Sequence, residues 1–189
     1  MYNKSAIVVL MLLWFAPLSF GQSKKDLKKN KVKSVRETEF LVKDGKEISR
    51  DNSFQRFDSN GNIIEEVDYD SEGKLKSKVT YVYNKNNEKI EEGNYTTDGK
   101  LKKKKVYKYN SNGDKTEELH YDAAGTFLQR SIYSYNANGD RISELVFDLQ
   151  NTVIEKVLIV YDNKGMRVEK KTFDGKGNVI SDKKYIYEY

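Results

Sequence analysis

The chain has 189 residues, 34 Lys+Arg against 29 Asp+Glu for a formal net charge of +5, no cysteine and one histidine. The lack of cysteine excludes a disulfide framework and any lipid attached through a thiol. The single histidine, His120, leaves Ser-His-Asp and Cys-His catalytic arrangements without their parts and excludes a histidine-rich metal site. A mixed charge of this kind favours solubility and steers no particular partner.

The first 21 residues have the three parts of a secretory signal peptide. Lys4 supplies the charge, an apolar core runs from Ala6 to Phe15, and Ser19-Phe20-Gly21 matches a small-x-small cleavage site. The apolar run is too short for a stable membrane span, and an uncleaved anchor is the alternative interpretation. We therefore expect export to the periplasm, the cell surface or the medium, with no membrane span in the mature chain.

A basic segment, residues 22–36, follows the signal peptide. It has few apolar residues, Leu27 and Val32 among them, and no clear period, which predicts a solvated linker or, alternatively, a contact with an anionic surface. Residues 37–56 predict an irregular hairpin with its turn at Lys43-Asp44-Gly45. Because its glycine does not match the later spacing, we interpret this hairpin as the N-terminal cap of a repeat array.

From residue 57 onward, aromatic residues recur with gaps that alternate between 12 and 14 residues. Each is followed by Asp or Asn, with Thr96 as the exception, and four residues after each aromatic comes Gly or Asn. A short polar side chain that opens a type I turn, with glycine ending it in the left-handed region, predicts a hairpin loop with a bulge. Residues 57–189 are therefore predicted to be an all-β antiparallel meander with ten turns. The aromatic positions are Phe57, Tyr69, Tyr83, Tyr95, Tyr109, Tyr121, Tyr135, Phe147, Tyr161, Phe173 and Tyr187.

The turn geometry also predicts a strand register. If Asp70 pairs with Lys74 across its turn, Glu66 faces Lys78 on the next strand. Following the strand pairing across two hairpins then leads from any residue to the one 28 positions later, whereas the sequence repeats every 26 positions. A slip of about one residue per strand predicts a strongly coiled sheet, either an open sheet or spiral or a closed barrel.

Strand alternation sorts the side chains onto two faces. One face is predicted to be rich in tyrosine, and the register places Glu66, Glu92 and Glu118 on the opposite, lysine-rich face. Later in the chain the lysine-rich face becomes apolar, so the C-terminal strands are expected to need a second layer or a partner. The candidate partner face consists of Leu128, Ile132, Ile154, Leu158 and Val160.

The tyrosines are the best candidates for ligand binding, because a Tyr ring offers a broad apolar face with a polar tip. The alternative is that they are the core of the sheet. An exposed row would favour glycan binding, and a buried row would argue against it. The candidates are Tyr81, Tyr107, Tyr133 and Tyr185.

The sequence predicts no catalytic, metal or cofactor site and no enzyme. Adjacent carboxylates such as Glu65-Glu66 point to opposite faces of a strand, so they do not converge as a glycosidase pair. The stretch from Asp58 to Asn62 lacks the distal glutamate of a calcium loop and is explained by an Asx-turn. Residues Lys102 to Lys105 alternate between faces and form no one-sided stripe for a nucleic acid.

Half-units such as Tyr69-Asp70-Ser71-Glu72-Gly73 and Tyr121-Asp122-Ala123-Ala124-Gly125 resemble the YD repeats of Rhs-type proteins, from about Phe57 to Tyr189. This resemblance implies a spiralling β-sheet shell in an exported or surface-exposed protein. A looser resemblance to MORN-type repeat proteins implies an immunity partner of a toxin.

We therefore expect an exported, non-enzymatic repeat protein of the bacterial cell envelope that binds a surface glycan or protein. The alternatives are a structural envelope protein docked on a fixed protein partner and an immunity-type protein. The oligomeric state is left open by the sequence.

Overall fold

The computed structural model describes residues 23–43 and 46–188; the predicted signal peptide and the turn residues Asp44 and Gly45 lie outside this range. All described strands belong to one antiparallel 12-stranded sheet whose order follows the chain. Among these strands β1 pairs only with β2 and β12 only with β11, so the meander is open rather than closed into a barrel. None of the described helices has the length and hydropathy of a membrane-crossing segment. The elements are α1 (Lys24–Lys29), β1 (Ser34–Lys43), β2 (Lys46–Phe57), β3 (Ile63–Tyr69), β4 (Leu75–Tyr83), β5 (Lys89–Tyr95), β6 (Leu101–Tyr109), β7 (Lys115–Asp122), β8 (Phe127–Tyr135), β9 (Arg141–Phe147), β10 (Val153–Tyr161), β11 (Arg167–Asp174) and β12 (Val179–Lys184).

All ten predicted turns are present, and their chemistry is the one expected. The backbone N–H of Asp70 donates to the Lys74 carbonyl at 2.9 Å, and the N–H of Gly73 donates to the Asp70 carbonyl at 2.9 Å. Gly73 is in the left-handed region with φ of 77°, and the same position in the next turn is Asn87 with φ of 61°. The Asp70 carboxylate also accepts from the backbone N–H groups of Glu72 and Lys74. These side-chain acceptors explain why nearly every turn begins with Asp or Asn.

Each repeat hairpin also has a second bulge, which the turn residues do not predict. Tyr69 pairs with Leu75 as expected, but the preceding residue, Asp68, pairs with Ser77, so the register advances by one residue. The next hairpin has the same step. The predicted slip is confirmed nevertheless, because both hairpins shift equally and two of them still move a residue by 28 positions, as from Glu66 through Val79 to Asn94.

The second bulge places the repeated glutamates on the tyrosine face. A one-residue shift in pairing moves a side chain to the other face of a sheet. The predicted location of Glu66, Glu92 and Glu118 on the lysine-rich face is therefore wrong. The Tyr81 hydroxyl donates to Glu66 at 2.8 Å, and the Tyr107 hydroxyl donates to Glu92 at 3.0 Å.

Burial shows that the face of Tyr107 is the inner side of a curved sheet. Of the buried residues in the described strands, all but Val67 and Gly93 lie on this face by the strand register. Side chains of a single-layer sheet bury one another where the coiled sheet is concave, because they converge there. We call this side the inner face and the opposite side the outer face. The buried inner-face residues are Ser53, Gln55, Phe57, Tyr107, Glu118, Ser131, Tyr133, Val146, Val157 and Ile159.

The N-terminal segment differs from the expected linker, since residues 22–36 contain helix α1 and the start of β1. The Ser23 hydroxyl caps the helix by accepting from the Asp26 N–H at 3.2 Å. Leu27 is the buried residue of this helix, at 8% exposure. Gly61 in the first turn approaches the helix so closely that an added Cβ would lie 2.8 Å from the first helical carbonyl oxygen. Helix α1 therefore packs on the first turn, at the N-terminal end of the sheet.

Candidate functional site: the inner-face ladder and its pocket

A Tyr–Glu–cation cluster repeats every 26 residues along the inner face. The Tyr107 hydroxyl and the Lys89 ammonium both donate to Glu92, at 3.0 and 2.7 Å. Lys89 also lies over two rings, 4.9 Å from the centroid of Tyr81 and 5.1 Å from that of Tyr107. Such contacts contribute roughly 0.5–2 kcal/mol depending on how far the cation is desolvated. Lys89, and likewise Lys115 one repeat later, therefore joins two successive repeats. We call this set the inner-face ladder: Glu66, Tyr81, Lys89, Glu92, Tyr107, Lys115, Glu118, Tyr133 and Arg141.

Glu118 is the most heavily bonded member of the ladder. Its buried carboxylate has four donors: Lys115 at 2.6 Å, Lys105 at 3.2 Å, the His120 Nε2 at 2.9 Å and the Tyr133 hydroxyl at 3.2 Å. Burial opposes ionisation, yet hydrogen bonds from His120 and Lys115 and the charge of Lys115 hold the pKa of Glu118 well below its usual range. The carboxylate is thus ionised at physiological pH, and His120 serves to orient it.

The pKa values of the ladder tyrosines are shifted in the opposite direction, upward. Burial, the negative charge of Glu92 and the hydrogen bond to it raise the pKa of Tyr107 far above its usual value. Burial and the hydrogen bond to Glu66 do the same for the pKa of Tyr81. These hydroxyls therefore act as neutral donors to carboxylates rather than as acids.

Of the four tyrosines predicted to bind ligand, three belong to this ladder and two of those are buried. Tyr107 and Tyr133 are each only 7% exposed, while Tyr81 and Tyr185 are half-buried. Lys115 lies 4.6 Å from the centroid of the Tyr133 ring, and a cation covers Tyr185 at 5.8 Å as well. Tyr81, Tyr107 and Tyr133 come together in one column, whereas Tyr185 is separated from them because the intervening copy is Ile159.

A polar pocket of about 330 Å³ opens beside Glu118 on the inner face. Tyr133, Val146 and Ile154 contribute to its walls. Gln129 and Glu155 also line it, and within residues 23–43 and 46–188 neither side chain has a hydrogen-bond or ionic partner. These two half-buried side chains are therefore free to bond a ligand, and Val146 and Ile154 add a small apolar wall to a largely polar pocket.

Sequence reasoning missed Gln129 and Glu155. Each departs from the repeat, since the residue 26 positions before Gln129 is Lys103, and such departures are the signal that could have pointed to them. Strand alternation alone places both on the face of Tyr133 and Ile159. The unpredicted bulge decides which residues of the neighbouring strands lie opposite them, His120 for Gln129 and Val146 for Glu155.

The predicted apolar partner face is not a single patch. Ile132, Leu158 and Val160 alternate with inner-face residues and so lie on the outer face, where Val160 is exposed and the other two are half-buried. Leu128 and Ile154 occupy the second-bulge positions and are exposed, and Ile154 lines the inner-face pocket. Elsewhere in the described part of the chain, no three His, Asp or Glu side chains are grouped to hold a metal ion.

Comparison with known proteins gives distant structural matches only. No protein-family model matches the chain, and no curated protein is significantly similar to it in sequence. The chain is similar in structure to a protein of unknown function from Bacteroides fragilis NCTC 9343, with TM-score 0.43 and 13% identity over 58% of this chain and 94% of that one. A porin-like protein from Bacteroides uniformis ATCC 8492 matches with TM-score 0.42 and 14% identity over 75% of this chain and 56% of that one. The TcdB2-TccC3 structure matches with TM-score 0.31 and 11% identity over 82% of this chain but only 12% of that much longer one.

Proposed function

We propose that this protein is an exported, non-enzymatic binding module of the bacterial cell envelope, and that its inner-face pocket binds a surface glycan. The observation that carries the proposal is the pair of unpartnered groups, the Gln129 amide and the Glu155 carboxylate, in a pocket about 330 Å³ in volume. An amide both donates and accepts, and a carboxylate accepts twice, so together they match the hydroxyl groups of one sugar residue. The neighbouring Val146 and Ile154 offer an apolar wall for the C–H groups of the same ring.

The ladder beside the pocket supports this role by keeping it rigid. Tyr133 and Glu118 are held by hydrogen bonds and by Lys115, so the pocket wall is ordered before a ligand arrives. A pocket wall that is already ordered binds more strongly, because the protein loses less conformational entropy on association. Because Tyr107 and Tyr133 are buried, the polar pocket, and not the tyrosine row, is the glycan site that we propose.

A glycan array probed with the purified protein tests this proposal. We expect binding to a defined set of glycans. Glu155→Leu should weaken it by about tenfold or more, as loss of a hydrogen bond to a charged group does, and Gln129→Leu by about fivefold, as loss of a neutral hydrogen bond does. Lys103→Leu is the matched control, because Lys103 occupies the position of Gln129 one repeat earlier and should leave binding unchanged. Absence of glycan binding by the unmodified protein, or equal binding by all three variants, would refute the proposal.

A second candidate function, docking on a fixed protein partner, is favoured by a row of exposed aliphatic side chains. Leu128, Ile154 and Ile180 are 44%, 42% and 58% exposed and recur every 26 residues at the second bulge, where earlier repeats have lysine. The last of them lies on β12, whose outer edge carries no strand in the described sheet. An extended partner segment could add to that edge and place its apolar side chains against the row. The expected result is that one partner, identified by mass spectrometry, is retained by the unmodified protein and lost with Ile180→Lys; retention by both would exclude this mode.

We further infer that the repeats are of the YD type that the sequence resembles. The support is local: the Tyr-Asp-x-x-Gly half-unit at Tyr121 closes as the expected turn, with the Asp122 carboxylate accepting from the backbone N–H groups of Ala124 and Thr126 at 2.9 and 2.8 Å. An experimental structure of the repeat region would test this, since YD-type repeats require the same turn at every copy.

A further inference from the structure

A second, apolar pocket lies at the N-terminal end of the sheet, between helix α1, the segment leading into β1 and the end of β2. Its volume is about 720 Å³, well within the range of small-molecule sites. Its apolar walls include Leu27, Val32, Phe54 and Phe57. Leu27 and Phe57 are buried by the packing of the helix on the first turn, so these walls are held in place by the fold.

The pocket is bordered by cations. Lys28, Lys31, Lys33 and Arg56 all contribute to its lining. Arg56 is paired with Glu65 at 2.9 Å, but the side-chain amines of Lys31 and Lys33 have no partner in the part of the chain that the structure describes.

Asp58 also lines the pocket, but its charge is already engaged. Its carboxylate accepts from the backbone N–H groups of Asn60 and Asn62 at 2.8 and 2.9 Å and from the Asn62 amide at 2.8 Å. Burial opposes ionisation, yet these hydrogen bonds hold the pKa of Asp58 below its usual value. The carboxylate therefore serves the turn, and the amines of Lys31 and Lys33 are left to attract an external anion.

We propose that this pocket binds a single-chain amphipathic anion, of the class of a long-chain carboxylate. The alkyl chain lies against Leu27, Val32, Phe54 and Phe57, where it is removed from water. The head group forms charge-assisted hydrogen bonds with the amines of Lys31 and Lys33 at the pocket's edge. The apolar wall accounts for the chain and the unpaired lysines account for the sign of the head group, so a cationic amphiphile of equal length does not fit. This site is independent of the inner-face pocket, with which it shares no lining residue.

Isothermal titration of the purified protein with dodecanoate, below its micelle concentration, tests the proposal. We expect saturable one-to-one binding of dodecanoate and none of dodecyltrimethylammonium. The double variant Lys31→Gln/Lys33→Gln should bind dodecanoate about tenfold more weakly, which corresponds to loss of charge-assisted hydrogen bonds. The control Lys85→Gln/Lys103→Gln removes two exposed lysines elsewhere and should bind as the unmodified protein does.

A second variant tests the apolar part of the site, which binds the alkyl chain of the ligand. Val32→Trp places a large ring in the pocket without changing its charge, and it should abolish dodecanoate binding while the melting temperature measured by circular dichroism is kept. Lack of saturable binding, equal affinity for the cationic amphiphile, or binding only to phosphatidylglycerol vesicles would each overturn the proposal.

Discussion

Between Tyr81 and Tyr133 the inner face is filled by hydrogen-bonded charges, whereas one repeat later two of the same positions hold aliphatic side chains. The position of Tyr133 is taken by Ile159 one repeat later, and that of Ser131 by Val157. Both aliphatic residues are buried, at 5% and 3% exposure. The turns do not change between the two regions, since all ten have the same pair of backbone hydrogen bonds.

This difference shows that turn chemistry and face packing are separate requirements in this sheet. The polar ladder can be buried because each charge has several partners, as Glu118 has, and a buried charge without partners is strongly unfavourable. Aliphatic residues need no partners, so the C-terminal repeats can vary their outward side chains freely. The ladder therefore forms one wall of the pocket, and the exposed aliphatic row begins at Leu128 in β8, the strand of Tyr133, and continues to β12.

The largest effect should follow from removing the charge of Glu118. Glu118→Gln leaves the half-buried amines of Lys105 and Lys115 without their carboxylate, and we expect the free energy of unfolding to fall by about 3 kcal/mol. Urea denaturation of the variant and the unmodified protein measures this loss.

Glu144 provides the matched control in the next repeat. Its cation, Arg141, is 3.6 Å away and one-third exposed, so Glu144→Gln should cost less than about 1 kcal/mol. Equal losses for the two variants would mean that the ladder is no more tightly coupled than the C-terminal repeats.

High pH should weaken the ladder region next. The pKa values of Tyr81, Tyr107 and Tyr133 are raised in the folded state above the ordinary 10.0, chiefly by burial. The folded protein then holds these protons more tightly than the unfolded chain, so their contribution is complete below pH 10 and is lost as the pH rises further. Urea unfolding between pH 8 and pH 11 should show this decline, and Tyr133→Phe should make it shallower. A decline that Tyr133→Phe leaves unchanged would contradict the assignment.

Much of the fold follows from local sequence, because each turn is specified by residues within five positions of one another. The position of Asp70 and Gly73 predicts the turn, and the 12/14 spacing predicts the slip between strands. The second bulge depends on how two strands twist against each other, and no residue type at Lys76 or Ile90 marks it. For that reason the face of Glu66 and the cross-strand neighbours of Gln129, and with them the ladder and its pocket, could not be assigned from the sequence.

Substitutions in the turns provide the next test, because they should lower the free energy of unfolding equally in the ladder region and in the C-terminal repeats. Asn136 lies in the ladder region and Asp162 in the C-terminal one, and each side-chain oxygen accepts from two backbone N–H groups at 2.9 to 3.0 Å. Replacing either by alanine should lower the free energy of unfolding by about 1 kcal/mol. Ser111→Ala is the control, since Ser111 is exposed in a turn of the same kind, its hydroxyl has no hydrogen-bond partner among the described residues, and its loss should cost less. A clearly larger cost at Asn136 would show that turn and ladder are coupled after all.

The smallest effect is expected in the aliphatic row. Leu128→Lys restores the residue found at that position in the previous repeat, Lys102, and Ile180→Lys introduces it on the edge strand. Because both side chains are exposed and the inner face beneath them is already filled, each change should alter the free energy of unfolding by no more than about 0.5 kcal/mol. A loss above about 1 kcal/mol would mean that the row packs within the monomer. If the variants keep their stability but no longer bind the partner, the aliphatic residues stabilise the complex and not the folded monomer.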